Sequence, residues 1–191
     1  MNSGIQFFDG LSTEDIQQIL IKSANDLISL DAPNYQFVAA RLLLFSLRKK
    51  LFHKLWEHPT LLEQIEKCIE RGVYDKGILD NYTEAEIDRL NGFIDHERDY
   101  NFTYAGLRQV MDKYLVQDRS DGAIFETPQF MYMMIAATLF ANYPKEKRIT
   151  YVKKYYDASH NRRWNINFKL ANGIIVFFDI GYPFFFWVFC K

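Results

Sequence analysis

Apolar residues recur at helical spacing along most of the chain. From Thr13 they follow one another at intervals of three and four as far as Leu27, with polar residues between them, which predicts an amphipathic helix. Ser12 or Thr13 is suited to cap its start, and the stretch 31–33, which contains a proline, is predicted to end it. The first predicted element is therefore a helix with one buried face.

A second, longer helix is predicted from Tyr35, with Val38 and Leu42 among its buried positions and Phe45 further along the same face. It ends in a basic group formed by Arg48, Lys49, Lys50, His53 and Lys54. Cations at this position stabilise the negative end of a helix dipole. The alternative is that one or two of the lysines bind phosphate.

Two capping boxes, Thr60-x-x-Glu63 and Thr83-x-x-Glu86, each precede a further helical pattern. Three more helices are predicted from Thr103, from Pro128 and from Lys145. A single stretch, 114–125, has two short apolar runs around a glycine-containing turn, which predicts a β-hairpin. The predicted fold class is mainly α, with five to seven helices, one short hairpin and a poorly specified tail.

The composition changes near Ala158. Aromatic residues make up 17% of the chain, but ten of them fall within 159–191, where they reach 30%. That segment also carries four basic residues against Asp179, whereas the whole chain has a net charge of −1. A near-neutral chain does not favour a nucleic-acid partner, so none is predicted. The break predicts that 159–191 is unrelated to the rest.

The residue types that carry common chemistry are sparse. The two cysteines and four histidines have no metal-ligand spacing, so no metal site is predicted. Cys68 is expected to be a buried, unreactive thiol. The sequence His96-Glu-Arg-Asp99 is interpreted as a capping and salt-bridge cluster rather than an active site. No catalytic residue is predicted.

The ends of the chain bear on localisation. The first ten residues have neither the basic start nor the apolar core of a signal peptide, and the default prediction is a reducing cytoplasm. The apolar run 174–190 is shorter than a bilayer span and contains Asp179 and Pro183. A membrane role is therefore not expected.

The ordered string of segments resembles a known family. IQFFDGLSTEDIQQILIKSANDLIS, LLLFSLRKK, DNYTEAEI, FIDHERDYNFTYAGL, KYLVQDRSDGAIFETPQFMYMMIA and YVKKYYDA together are similar to the N-terminal region of the class I ribonucleotide reductase large subunit, enterobacterial and T4-like phage type. This resemblance implies four parts. They are a partial ATP-cone (1–55), a helical connection (56–99), an all-alpha domain (100–158) and the unrelated aromatic tail (159–191).

The resemblance also implies a regulatory nucleotide site. Thr13 and Lys49 match positions of the cone that contact the effectors ATP and dATP, and Gln17 and Ser46 stand where relatives carry histidines that contact the effector. The β-strands that would cover the nucleotide belong to the first half of the cone, which is expected upstream of Met1. Binding of ATP or dATP is therefore expected to be weak or absent.

Catalysis by the family needs a thiyl-radical cysteine and a dithiol in a barrel domain, which Cys68 and Cys190 do not match. The implied function is a part of ribonucleoside-diphosphate reductase that is active only with a second polypeptide carrying the barrel and, through it, the radical-generating small subunit. Two alternatives stay open: a non-catalytic helical binding or regulatory module, and a nonfunctional truncation.

Overall fold

The computed structural model describes residues 9–54, 57–118 and 120–160 together with two strands, 167–171 and 174–178; for the strands and His160 the backbone alone is described. The elements are α1 Thr13–Asp26, α2 Tyr35–Phe52, α3 Leu61–Glu70, α4 Gly77–Asn81, α5 Glu84–Asn91, a 3₁₀ helix His96–Asn101, α6 Tyr104–Lys113, α7 Pro128–Phe140, α8 Lys145–His160, β1 Asn167–Ala171 and β2 Ile174–Phe178.

The mainly α fold class is confirmed. The described residues hold eight α-helices rather than the five to seven predicted, because α4 is a five-residue element. An element of that length is too short to show a helical period. Helix α1 also ends at Asp26, earlier than the predicted stop at 31–33. Its last turn closes through a backbone bond from Ile28 to Asn25, 3.1 Å, so the proline is not what stops it.

The predicted caps are confirmed at three helices. Ser12, Thr60 and Thr83 each accept a backbone N–H from the residue three positions on, and that residue's carboxylate accepts from the backbone of the cap. Each capping box satisfies two backbone donors that the helix itself leaves unpaired. Thr127 differs: α7 begins at Pro128 as predicted, but the Thr127 hydroxyl is buried with no hydrogen-bond partner among the described residues.

The hairpin predicted at 114–125 forms only in part. The chain reverses there through a single antiparallel bridge between Gln117 and Ile124. Side chains take donors that a longer ladder would use: Asp121 accepts from the Ala123 N–H at 2.8 Å, and Glu126 accepts from the Val116 N–H at 2.8 Å. The predicted hairpin is therefore present as an antiparallel reversal with one bridge rather than as two regular strands.

The two strands lie instead in the segment predicted to be poorly specified. β1 and β2 pair antiparallel, with Asn167 opposite Phe178 and Ala171 opposite Ile174. In sequence they are separated by Asn172 and Gly173, the residue pair most typical of a two-residue hairpin loop. The prediction for 159–191 rests on the overall composition of the segment, which does not reveal this local hairpin signal.

The buried face of α2 differs from the prediction. Val38 is 44% exposed, whereas Leu44 and Leu47 are among its buried residues. Helix α2 packs against α1, α6 and the 3₁₀ helix, so its buried arc is broader than one stripe. For α8 the predicted positions Ile149 and Val152 are buried as expected.

The chain divides into two compact units. Unit 1 comprises Met1–Lys76 and Ile94–Met131, and unit 2 comprises Gly77–Phe93 and Tyr132–Lys191. The bounds of these two units differ from those of the four parts implied by the resemblance. The division into four parts stays a prediction. The core of unit 1 is centred on α2, and that of unit 2 on α5 and α8.

Candidate functional site

The two residues predicted to contact a nucleotide lie at the same end of a helix pair in unit 1. Thr13 is the first residue of α1, and Lys49 lies in the last turn of α2. An ion pair between Lys50 and Glu14 joins these two helix ends, so α1 and α2 are antiparallel there. Thr13 and Lys49 are both exposed. The structure thus places both residues at the helix ends that this ion pair joins.

The electrostatics of this end are mixed. The Lys49 ammonium has no ion-pair partner among the described residues, which suits a phosphate ligand. The first turn of α1, however, carries Glu14 and Asp15, whose charges oppose an anion at this helix N-terminus. The α2 C-terminus also presents the negative end of its dipole. The described residues therefore offer few positive groups to a triphosphate.

The two positions at which relatives are expected to carry histidines differ in exposure. Gln17 is half-buried on α1, and Ser46 is 4% exposed on α2. A serine side chain is shorter than a histidine side chain, so its hydroxyl extends less far from the backbone than an imidazole nitrogen. These substitutions remove two groups that would contact the effector according to the resemblance.

Directly next to Lys49, Arg48 is almost fully buried, with 1% exposed. Its Nη1 donates to the Tyr100 hydroxyl at 3.0 Å, and its Nη2 donates to the His96 carbonyl at 2.8 Å. Nη2 also lies 3.6 Å from the Asp99 carboxylate, and Gln129 donates to the other oxygen of Asp99 at 2.7 Å. This network joins α2, the 3₁₀ helix and the first turn of α7.

Sequence reasoning missed this network. The sequence places Arg48 among the cations at the end of α2 and Asp99 in a capping and salt-bridge cluster, and neither prediction pairs the two residues. One signal was available, because Arg48 follows Leu44 by four positions and precedes Leu51 by three, which places it on an apolar stripe. The interpretation of His96-Glu-Arg-Asp99 as a salt-bridge cluster holds for Arg98, which pairs with Asp95 at 3.3 Å. It also holds for Asp99, which pairs with Arg48 at 3.6 Å, although this pair is buried.

Burial governs protonation around Arg48. Burial raises the pKa of Asp99 to about 7, although the Gln129 hydrogen bond and the Arg48 charge both act to lower it. The rings of His58 and His96 stack with centroids 3.8 Å apart. Burial lowers the pKa of His96 to about 3, with the charges of His58 and Arg48 adding to the effect. Both rings are therefore neutral at physiological pH, since burial also lowers the pKa of His58 to about 4.

A second buried cluster surrounds Glu126. Its carboxylate accepts from the Tyr74 hydroxyl and from the Val116 N–H, and burial raises its pKa to about 7. Gln64 donates to the Phe125 carbonyl at 2.8 Å. Burial also raises the pKa of Cys68 to about 12, so this thiol is protonated and unreactive, as predicted.

Neither cluster has the parts of an active site. The thiol is protonated, and the carboxylates are engaged by the Tyr74 hydroxyl, a backbone N–H, the Gln129 amide and Arg48. The described residues also contain no group of three histidine, cysteine or acidic side chains able to hold a metal ion. Along the part of the chain that the structure describes, no helix combines the length and apolar character needed to cross a bilayer. Both clusters fix the packing of unit 1.

Residues 100–169 match the family model of the ribonucleotide reductase all-alpha domain. This match extends past Ala158 into the segment predicted to be unrelated, so the boundary drawn there stays a prediction.

The relatives extend the likeness beyond that domain. The chain is 47% identical over 174 residues to ribonucleoside-diphosphate reductase 1 subunit alpha of Escherichia coli K12, covering 91% of this chain and 23% of the relative. It is 44% identical to the Haemophilus influenzae alpha subunit over the same length, and 43% identical to that of phage T4 over 165 residues, 86% of this chain and 22% of the phage protein. The chain thus matches class I ribonucleoside-diphosphate reductase alpha subunits. The predicted resemblance to the N-terminal region of this family is confirmed.

The coverage is as informative as the identity. The chain spans less than a quarter of the length of these alpha subunits, at their N-terminal side. Thr13 and Lys49 lie in the region before residue 100 that the all-alpha family model does not cover. Their role in nucleotide binding therefore stays a prediction.

Proposed function

We propose that this chain supplies the N-terminal part of a class I ribonucleoside-diphosphate reductase alpha subunit and serves deoxyribonucleotide synthesis in the cytoplasm only in the presence of a second polypeptide. That polypeptide carries the catalytic barrel and, through it, engages the radical-generating small subunit. The observation that carries the proposal is the combination of 91% coverage of this chain with 23% coverage of the relative.

The chemistry of the described residues supports the need for a second polypeptide. Reduction of a ribonucleotide by this family, as the resemblance implies, uses a cysteine thiyl radical and a dithiol. Cys68 is buried and its pKa is raised to about 12, which keeps it protonated and away from any substrate. Cys190 lies outside the described residues. The described residues therefore contribute scaffold rather than reacting groups.

We infer that nucleotide binding at the ends of α1 and α2 is weak. Lys49 offers one ammonium, while Glu14 engages Lys50 and the first turn of α1 is acidic. Isothermal titration of the full chain with ATP and with dATP tests this inference. The expected result is no binding tighter than about 10 μM, roughly −7 kcal/mol. Tighter binding that Lys49→Gln abolishes would show that the site is competent.

Co-expression tests the main proposal. The tagged chain is produced together with the E. coli alpha subunit from which the matched region has been removed, and the tag is used for purification. Recovery of the shortened subunit in a stoichiometric complex supports the proposal. Recovery of an intact alpha subunit alone, when both forms are offered, would instead indicate a regulatory module.

A further inference from the structure

Unit 2 carries four aromatic rings in mutual contact, referred to below as the ring cluster: Phe140, Tyr143, Tyr151 and Tyr155. Phe140 stacks on Tyr151 with centroids 5.7 Å apart and planes 20° apart. Tyr143 packs edge-on against both, at 5.0 Å from Phe140 and 5.5 Å from Tyr151, and Tyr155 lies 6.0 Å from Phe140. Despite these contacts, Tyr143 and Tyr151 remain 37% and 39% exposed.

Helix α8 has a wider apolar surface than unit 2 covers. Ile149, Val152 and Tyr156 are buried in unit 2. Tyr151 lies roughly 160° around the helix from Ile149 at 3.6 residues per turn, and the positions of Val152 and Tyr155 fall between them. An apolar arc this broad exceeds the stripe of a helix that packs on one neighbour and is typical of a helix packed on two sides. The ring cluster occupies the part of the arc that stays partly exposed.

The rim of the ring cluster is basic. The Lys154 ammonium lies 6.0 Å from the centroid of the Tyr151 ring, and Lys145 and Lys147 are exposed at the start of α8. Glu146 is the acidic residue in this first turn. Aromatic rings with lysines on the same helix suit a protein surface with an apolar centre and acidic residues at its edge.

We propose that the ring cluster is the surface on which the second polypeptide, bearing the remainder of the alpha subunit, docks. This inference rests on the proposed function. The family match includes α8 and extends past it to residue 169, while the chain spans only the N-terminal 23% of the relative. In the relatives the polypeptide therefore continues beyond the helix that corresponds to α8. The remainder thus follows, a short distance along the sequence, the helix that carries two of the four rings.

A double variant tests this docking surface. The chain carrying Tyr143→Ser and Tyr151→Ser is co-expressed with the shortened E. coli alpha subunit, and the dissociation constant of the purified complex is measured by titration. The matched control carries Ile28→Ser and Val38→Ser, which are 38% and 44% exposed in unit 1. We expect the ring variant to weaken binding at least roughly tenfold, because exposed aromatic residues are frequent interface anchors. The control variant is expected to stay within about twofold.

Hydroxyl-radical footprinting of the unsubstituted chain gives a second readout that does not depend on the folding of a variant. Tyr143 and Tyr151 should be protected in the complex and reactive in the free chain, while Tyr35, which is 37% exposed in unit 1, should react equally in both. Unprotected rings, or a ring variant that binds as tightly as the unsubstituted chain, would overturn the docking surface and leave the proposed function standing. Failure of the unsubstituted chain to bind would overturn both.

Discussion

Two buried arginines in this chain are paired with carboxylates in opposite ways. In unit 1, Arg48 lies 3.6 Å from Asp99, beyond hydrogen-bond distance, and both side chains are almost fully buried. In unit 2, Arg148 donates two hydrogen bonds to Glu86, at 2.9 and 2.5 Å, and the Glu86 side chain remains 16% exposed. The two pairs therefore have the same charges but differ in geometry and access to water.

The protonation of the two acids follows this difference. The hydrogen bonds from Arg148, helped by those from Thr83, lower the pKa of Glu86 to about 2. Burial raises the pKa of Asp99 to about 7, because one charge at 3.6 Å does not compensate for the loss of water. A nearby arginine thus stabilises a carboxylate strongly only when it forms direct hydrogen bonds and some hydration remains.

The largest effect is expected from removing the buried charge in unit 1. Arg48→Met should lower the free energy of unfolding by about 4 kcal/mol at pH 8, because it leaves an ionised Asp99 buried without its cation. Urea denaturation measures the change. The neighbouring exposed residue provides the control, and Lys49→Met is expected to change stability by less than about 0.5 kcal/mol. Equal effects of the two substitutions would contradict the assigned burial of Arg48.

A smaller loss is expected in unit 2. Arg148→Met should cost about 2 kcal/mol, since Glu86 retains water and the Thr83 cap after its partner is removed. The Arg148 guanidinium also covers the Tyr82 ring at 4.3 Å, and the methionine side chain keeps part of that contact. Urea denaturation under the same conditions gives the comparison. A cost greater than that of Arg48→Met would reverse the ranking of the two pairs.

The pH dependence should separate the pairs by sign. Asp99 has a raised pKa in the folded chain, about 7 against 3.8, so its contribution is present at low pH and is lost as pH rises from about 4 to about 7. Glu86 has a lowered pKa, about 2 against 4.5, so its contribution is present above pH 4.5 and is lost as pH falls towards 2.

Thermal unfolding between pH 2.5 and 8 tests these signs. Asp99→Asn should flatten the decline in melting temperature between pH 5 and 7, and Glu86→Gln should flatten the decline below pH 4.5. Glu126, whose pKa is also raised to about 7 by burial, accounts for the slope that remains in Asp99→Asn. If Asp99→Asn leaves the slope above pH 5 unchanged while Glu126→Gln removes it, the pKa assigned to Asp99 is wrong.

The smallest effect concerns the cap that helps to hold Glu86. Thr83 accepts the backbone N–H of Glu86 and donates its hydroxyl to the same carboxylate at 3.0 Å. Thr83→Ala should lower the free energy of unfolding by about 1 kcal/mol, and Thr83→Ser should preserve it. Chemical denaturation of the three chains measures the difference. A serine variant as unstable as the alanine variant would show that the hydroxyl bonds do not matter.

Local features of this fold were predictable from the sequence, and long-range ones were not. The capping boxes at Thr60 and Thr83 depend on residues three positions apart, and their prediction is confirmed. The partners Arg48 and Asp99 are 51 positions apart, so the local pattern, which places Arg48 on an apolar stripe, does not indicate its partner. At 114–125 the Glu126 carboxylate takes the Val116 N–H, a backbone donor that a regular strand would use, and the residue pattern does not indicate this competition.

The candidate site shows the same difference between what the sequence predicts and what only the fold reveals. The sequence alone identified Thr13 and Lys49 only through a resemblance, and the structure adds that they lie at one end of the α1–α2 pair. The ring cluster was not predicted, because its members are brought together by the packing of α7 against α8. Aromatic residues at helical spacing give no indication of which ones stay exposed.

Reductase activity after reconstitution tests the central claim most directly. Reduction of a ribonucleoside diphosphate is measured with the chain, the E. coli alpha subunit lacking the matched region, and the small subunit, alone and in every combination. The proposed function predicts turnover only when all three are present and none with the chain alone or with the chain and small subunit. Turnover that is independent of this chain, or its absence from the complete mixture despite complex formation, would contradict the claim.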